Sequence, residues 1–256
     1  MNGEELRVGG NMRNIKLTIE YDGTNYHGWQ IQKNAVTVQE KVEKALSKLL
    51  GIQTGVVGCS RTDVGVHAYG QVAHFLTDST IPGEKFSYAI NNLLPEDIVV
   101  QKSEDVPESF HARYSSKGKK YRYLISNTAH QSALMRNRAC HVRPELDFEQ
   151  MRKAAAHFIG EHDFAAFQAT GGQVRSTVRE IYSMSIVKRE DNLIELEVTG
   201  NGFLYNMVRI IAGTLIYVGM GKLKEGDIPG IITGLDRTKA GKTAPAQGLY
   251  LMEIYY

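Results

Sequence analysis

The chain has 256 residues, enough to bury a substantial core as one large or two small domains, with the 42% hydrophobic and 23% charged content of an ordinary globular protein. Its two cysteines, Cys59 and Cys140, lie far apart without CxxC spacing, which suggests neither a disulfide framework nor a zinc site. A net charge of +2 selects no partner; a polar, acidic start and an apolar run, Phe203 to Met220, interrupted by Asn206 and Arg209 suggest neither signal peptide nor bilayer span, so cytoplasmic residence is expected.

Residues 1–12 are poor in core-forming types and are expected to form a flexible tail. Strict alternation from Ile15 to Tyr21 predicts a half-buried strand that turns at Asp22-Gly23. Thr37-Val38-Gln39-Glu40 is a capping box, followed by Val38, Val42, Ala45, Leu46, Leu49 and Leu50 at helical spacing until Gly51. A strand over Gln71–Leu76, a helix over 84–94 stopped by Pro95, and a strand over Ile98–Lys102 follow. In the second half, Lys119–Ser126 predicts a strand and Asp147–Ile159 a capped helix. Glu180–Lys188 and Leu193–Thr199 predict a hairpin, Phe203–Val218 a buried helix, and Gly248–Tyr256 a closing strand. The order β-α-β-β-α-β is ferredoxin-like. The expected architecture is therefore α+β, with an N-terminal domain over 13–105 and a C-terminal domain over 106–256, each built on antiparallel strands.

The most informative segment is Gly58-Cys59-Ser60-Arg61-Thr62-Asp63-Val64-Gly65-Val66-His67-Ala68. It sets a carboxylate, Asp63, on a glycine-flanked turn two residues after Arg61. Glycines let a partner approach the backbone, and a nearby guanidinium is expected to lower the carboxyl pKa and keep it ionised, as a nucleophile requires. An Asx turn before a strand is the bland alternative. Between His111 and Pro144 there is no Asp or Glu but eight Lys or Arg, either a polyanion footprint or a solvated basic face. Within it, Lys119-Lys120-Tyr121-Arg122-Tyr123 places Tyr121 and Tyr123 on one strand face and Arg122 on the other, which suits base stacking beside phosphate contacts or plain cross-strand packing. Arg209, inside an apolar helix, has to meet an anion: a structural Glu, a helix C-terminus, or Asp63.

Metal and nucleotide signals are weak. His67 and His74 stand an odd seven apart on one strand, and Glu161-His162-Asp163 follows a glycine helix stop where polar residues are expected anyway. HExxH, HxH, P-loop, GxGxxG and GxSxG patterns do not occur, so no metal site and no nucleotide cofactor are expected.

These stretches, collinear over residues 13–256, resemble the TruA family of tRNA pseudouridine synthases. The resemblance rests on Tyr21-Asp22-Gly23-Thr24, Gly28-Trp29-Gln30, Thr37-Val38-Gln39, Arg61-Thr62-Asp63 with Gly65-Val66-His67-Ala68, Phe110-His111-Ala112-Arg113 and Tyr121-Arg122-Tyr123. Further on it includes Gly160 to Phe164, Met207-Val208-Arg209 and Ala244 to Leu251. It implies a pseudouridine-synthase fold with a central catalytic cleft. The implied activity is isomerisation of uridine at positions 38, 39 and 40 of the tRNA anticodon stem-loop by a cofactor-free homodimer. By the same resemblance Asp63 is the nucleophile, Arg61 displaces the target base, Arg209 pairs with Asp63, and Tyr121 stacks on the base and serves in the final proton removal. Cys59-Ser60 and Val64 depart from the family's usual small residues, and residues 169–176 carry no transferable role. A non-catalytic RNA-binding module and a hydrolase of a small anionic substrate are the rival readings.

Overall fold

The computed structural model describes residues 12–172 and 174–256, so the tail expected over 1–12 lies, Met12 apart, outside the described residues. The first half runs β1 (Arg13–Tyr21), α1 (Val38–Leu50), β2 (Val57–Gly58), β3 (His67–Thr77), α2 (Phe86–Asn91) and β4 (Ile98–Val106). The second runs β5 (Gly118–Ser126), β6 (Cys140–His141), α3 (Phe148–Ala156), β7 (Gly160–Asp163), β8 (Val178–Lys188), β9 (Leu193–Gly200), α4 (Met207–Gly219), α5 (Ile228–Gly234) and β10 (Leu249–Tyr255). The capping signals act as their chemistry demands. Thr37 accepts from the Glu40 N–H at 3.4 Å, Asp147 accepts from the Gln150 N–H at 3.0 Å, and Gly51 closes α1 in the left-handed region.

One sheet carries all ten strands, ordered β4-β1-β3-β10-β5-β9-β8-β7, with β2 beside β3 and β6 beside β5. It contains the ferredoxin-like order twice: β4-β1-β3-β2 in the first half and β10-β5-β9-β8 in the second. The pairings within each half's ferredoxin-like set are antiparallel, whereas the halves join through a short parallel seam, His67–Ala68 of β3 against Tyr250–Leu251 of β10. The expected pair of antiparallel sheets is thus a single mixed one. The Arg-Thr-Asp segment enters β3 at that seam, which puts Asp63 at the middle of the molecule.

Three departures have local causes. Phe203 and Leu204 continue an apolar run but are not helical; α4 starts only at Met207, behind Asn206 with φ 59°. Glu161-His162-Asp163 is not a helix-stop loop but part of β7, an edge strand whose exposed position tolerates polar residues. Against β1, the three residues Ile19 to Tyr21 face four in β3, Ala68 to Gln71. That extra residue interrupts the alternation between His67 and His74, whose odd separation would place them on opposite faces of an unbroken strand.

Candidate active site

The segment from Tyr21 to Trp29 forms the cradle of the Asp63 loop. Gly28 has φ 81°, and a Cβ there would stand 2.3 Å from the Thr62 carbonyl oxygen, so only glycine lets the two backbones meet. The Trp29 N–H donates to that carbonyl at 3.2 Å, the Gly65 N–H to Tyr26 O at 3.2 Å, and the Val66 N–H to Asp63 O at 3.1 Å. The Tyr21 and Thr62 hydroxyls lie 2.7 Å apart, and the Gln71 amide grips Ser60 through its N–H (3.2 Å) and carbonyl (2.6 Å). A loop tied at this many points holds one conformation, and its carboxylate is placed before any ligand arrives.

Arg209 reaches that carboxylate from the first turn of α4. Gly213, where a Cβ would lie 1.8 Å from Lys242 O, lets the 241–244 segment run against the helix. The Ala244 carbonyl then accepts from Arg209 Nε at 2.8 Å, and Asn206 Oδ1 accepts from Nη1 at 2.7 Å. So held, Nη1 stands 3.3 Å from Asp63 Oδ2, with the two side chains 17% and 25% exposed. Of the anions open to Arg209 from the sequence, Asp63 is the one present.

The charge balance differs from expectation. Burial raises the Asp63 pKa above its ordinary value, and Arg209 offsets this only in part. Arg61 is exposed, is in no ion pair with Asp63, and takes no part in that balance. The lowering expected from Arg61 is therefore corrected to a net rise, with Arg209 the arginine in contact. The cause is desolvation between loop and helix, which a solvated guanidinium cannot counter through water.

Asp63 opens onto two cavities. One, of about 350 Å³, is walled by Arg61, Arg113, Lys119, Tyr121, Phe203 and Tyr205 among others. The other, of about 460 Å³, is lined by His27, Gln30, Gln32, Arg61, Tyr205 and Arg209. Tyr121 is buried, its ring meeting Phe203 edge-on at 5.1 Å. Burial raises its phenol pKa and outweighs a lowering by the nearby Ser60 hydroxyl, with smaller upward contributions from Cys59 and Asp63, so it stays protonated at neutral pH; the Ser60 hydroxyl itself makes no hydrogen bond of good geometry. The four residues singled out in the sequence, Asp63, Arg61, Tyr121 and Arg209, thus all line one or both cavities.

Lys119 and Asn206 were not assigned site positions from sequence. Lys119 is two residues from Tyr121 on β5 and shares its face, a signal that alternation could have supplied. Its ammonium pKa is lowered by burial. The basic tract, by contrast, is partly neutralised across the sheet. Lys120 pairs with Glu197 at 2.8 Å, and Arg122 with Glu197 at 2.9 Å and Glu195 at 3.5 Å, on the face away from Tyr121. Besides Arg209, the cavities that Asp63 opens onto are lined by the cations Arg61, Arg113 and Lys119. Among the described residues, no three His, Cys, Asp or Glu side chains gather where they could hold a metal ion.

A family model described as tRNA pseudouridine synthase matches residues 17–115 and 154–256. The chain belongs to the tRNA pseudouridine synthase family. It is 80% identical over 245 residues to tRNA pseudouridine synthase A of Ruminiclostridium cellulolyticum, covering 96% of this chain and all of that one. To the protein of the same name from Acetivibrio thermocellus it is 57% identical, again over 96% of this chain and all of the relative. A tRNA pseudouridine synthase A 2 of Clostridium tetani is 51% identical over 95% of this chain and 99% of its own. The matched ranges include the Asp63 loop, Tyr121 lies between them, and Arg209 falls within the second.

Proposed function

We propose that this family member isomerises uridine to pseudouridine at positions 38, 39 and 40 of the tRNA anticodon stem-loop, with Asp63 as nucleophile. The observation that carries the assignment is a desolvated carboxylate, paired with Arg209 at 3.3 Å, opening onto a cavity large enough for a nucleobase and walled by Tyr121. The target uridine leaves its stack to reach the cavity; unstacking costs a few kcal/mol, which contact with Tyr121 and Phe203 offsets. The carboxylate adds to the base or the ribose, the N1–C1′ bond breaks, the uracil turns, a C5–C1′ bond forms, and the bond to the carboxylate breaks to return Asp63 as a free anion. The C5 proton then leaves and N1 gains one, so composition is unchanged and no oxidant or reductant enters.

Each neighbour has a part. Arg209 stabilises the ionised carboxylate that burial disfavours. Arg61, exposed at the mouth of both cavities, takes the space the target base vacates. Tyr121, held as a neutral phenol, acts as stacking surface and as a relay for the C5 proton. Arg113 and Lys119 meet the backbone phosphates.

The family resemblance supports a cytoplasmic homodimer, and among the described residues no helix is long and apolar enough to cross a membrane. It also supports treating 13–105 and 106–256 as two domains, the crossing coming where β4 ends at Val106. The test is release of tritium from C5 of labelled uridine in tRNA: the wild-type protein is expected to release it and Asp63→Asn is not. An RNA-binding module would bind tRNA without any release.

A further inference from the structure

The segment between β4 and β5 carries an aromatic stack that the catalytic scheme does not use. Tyr114 lies on His111 with ring centroids 4.3 Å apart and planes 27° apart, yet Tyr114 is 78% exposed. The stack is rigid from below. His111 Nδ1 accepts from the Arg113 and Tyr114 N–H groups, both at 3.2 Å, and the His111 N–H donates to Ser115 Oγ at 3.0 Å. The loop is pinned further where the Ala112 N–H donates to His74 Nδ1 (3.1 Å) and the Tyr256 hydroxyl donates to Ala112 O (2.7 Å).

An exposed tyrosine alone needs no explanation. Here, however, a large ring is fixed flat on another ring, with the Arg113 guanidinium 6.0 Å from its centroid. Arg113 also walls the 350 Å³ cavity that Asp63 opens onto, so the stack adjoins the mouth of the active site. Lys120 and Arg122 of the acid-free tract are neutralised by Glu195 and Glu197 across the sheet, but among the described residues Arg113, Lys117 and Lys119 form no ion pair, which leaves this end of the tract suited to a polyanion. A fixed aromatic face beside an arginine is the arrangement by which proteins hold single-stranded bases.

We infer that Tyr114, supported by His111 and flanked by Arg113, is a second base-stacking site that holds an unpaired nucleobase next to the everted target nucleotide. The inference rests on the tRNA substrate proposed above and names a contact for it outside the catalytic cavity. The Tyr114 ring supplies stacking, whereas Arg113 supplies charge toward the adjoining phosphate.

The two contributions separate by salt. In an Asp63→Asn background, where bound tRNA is not turned over, the dissociation constant for tRNA is measured across a salt series. Tyr114→Ala is expected to weaken binding by about tenfold with an unchanged salt slope, and Tyr114→Phe, which keeps the ring, to stay within about twofold. Arg113→Met is expected to lower the slope by about one. A Tyr114→Trp reporter should be quenched by tRNA and not by a fully paired RNA duplex; the native Trp29 is 2% exposed and gives a constant background. If Tyr114→Ala binds tRNA like its parent, or if it loses affinity only because a dimer dissociates in sedimentation, the second site is refuted while the catalytic assignment stands. If the Asp63→Asn parent itself does not bind tRNA, both fall.

Discussion

Replacing Arg209 by Met removes the cation that opposes burial at Asp63. At 3.3 Å and an effective dielectric near 20, the pair attraction is about 5 kcal/mol. Water reaching the partly exposed carboxylate reduces this, and an opposite charge at such a distance moves a carboxyl pKa by about one to three pH units. The native Asp63 pKa already lies above its ordinary value, and only the ionised form attacks. Rate therefore rises with pH along an acid limb, and Arg209→Met should move that limb upward by about one to three pH units. Part of the turnover lost at neutral pH should return at alkaline pH. Stability runs the opposite way with pH. A carboxyl whose folded pKa is raised binds more protons folded than unfolded, so its contribution declines as pH rises from its ordinary 3.8 through the raised value, more steeply in the variant. The substitution also strips partners from Ala244 O and Asn206 Oδ1, at a cost of about 1–3 kcal/mol that thermal unfolding would register. The assay is single-turnover tritium release across pH, with Arg209→Lys as the charge-retaining control. An acid limb that stays in place in Arg209→Met would show that the pair does not govern the ionisation of Asp63.

Other consequences are equally direct. Tyr121→Phe should bind tRNA within about twofold of wild type, since the ring remains, but release tritium more slowly; weak binding would refute the stacking role. Gly28→Ala forces a side chain onto Thr62 O in a left-handed backbone, so it should cost at least about 1–3 kcal/mol of stability and lower turnover by displacing the loop, read by unfolding and by tritium release. Lys119→Met should reduce the salt slope of tRNA binding by about one. Because burial lowers the Lys119 pKa, wild-type affinity should fall at alkaline pH before an ordinary lysine would discharge, and the variant should lack that limb.

The sequence made legible what neighbouring residues decide. Alternation located β1, β5, β8 and β9, and Thr37, Gly51 and Asp147 marked helix ends, because those signals act within a few residues of themselves. β2 was missed because two residues show no period, yet it completes the first ferredoxin-like set. The start of α4 was misplaced because Phe203 and Leu204 are as apolar as the helix, while the left-handed Asn206 that stops it leaves little trace in composition. At the site, Arg209 was found through the cost of burying a lone charge, a signal contained in its own helix. The state of Asp63 was not, since it depends on a fold that buries the loop and brings Arg209 to it from 146 positions away. The charge of the basic tract was overcounted for the same reason: Glu195 and Glu197, which neutralise Lys120 and Arg122, are adjacent only across the sheet.

The most direct test of the account is C5 tritium release from tRNA by Asp63→Asn, alongside its tRNA affinity. The amide is nearly isosteric but cannot act as an anionic nucleophile, so the expected result is undiminished binding with release at background. Release at the wild-type rate would contradict Asp63 as the attacking group.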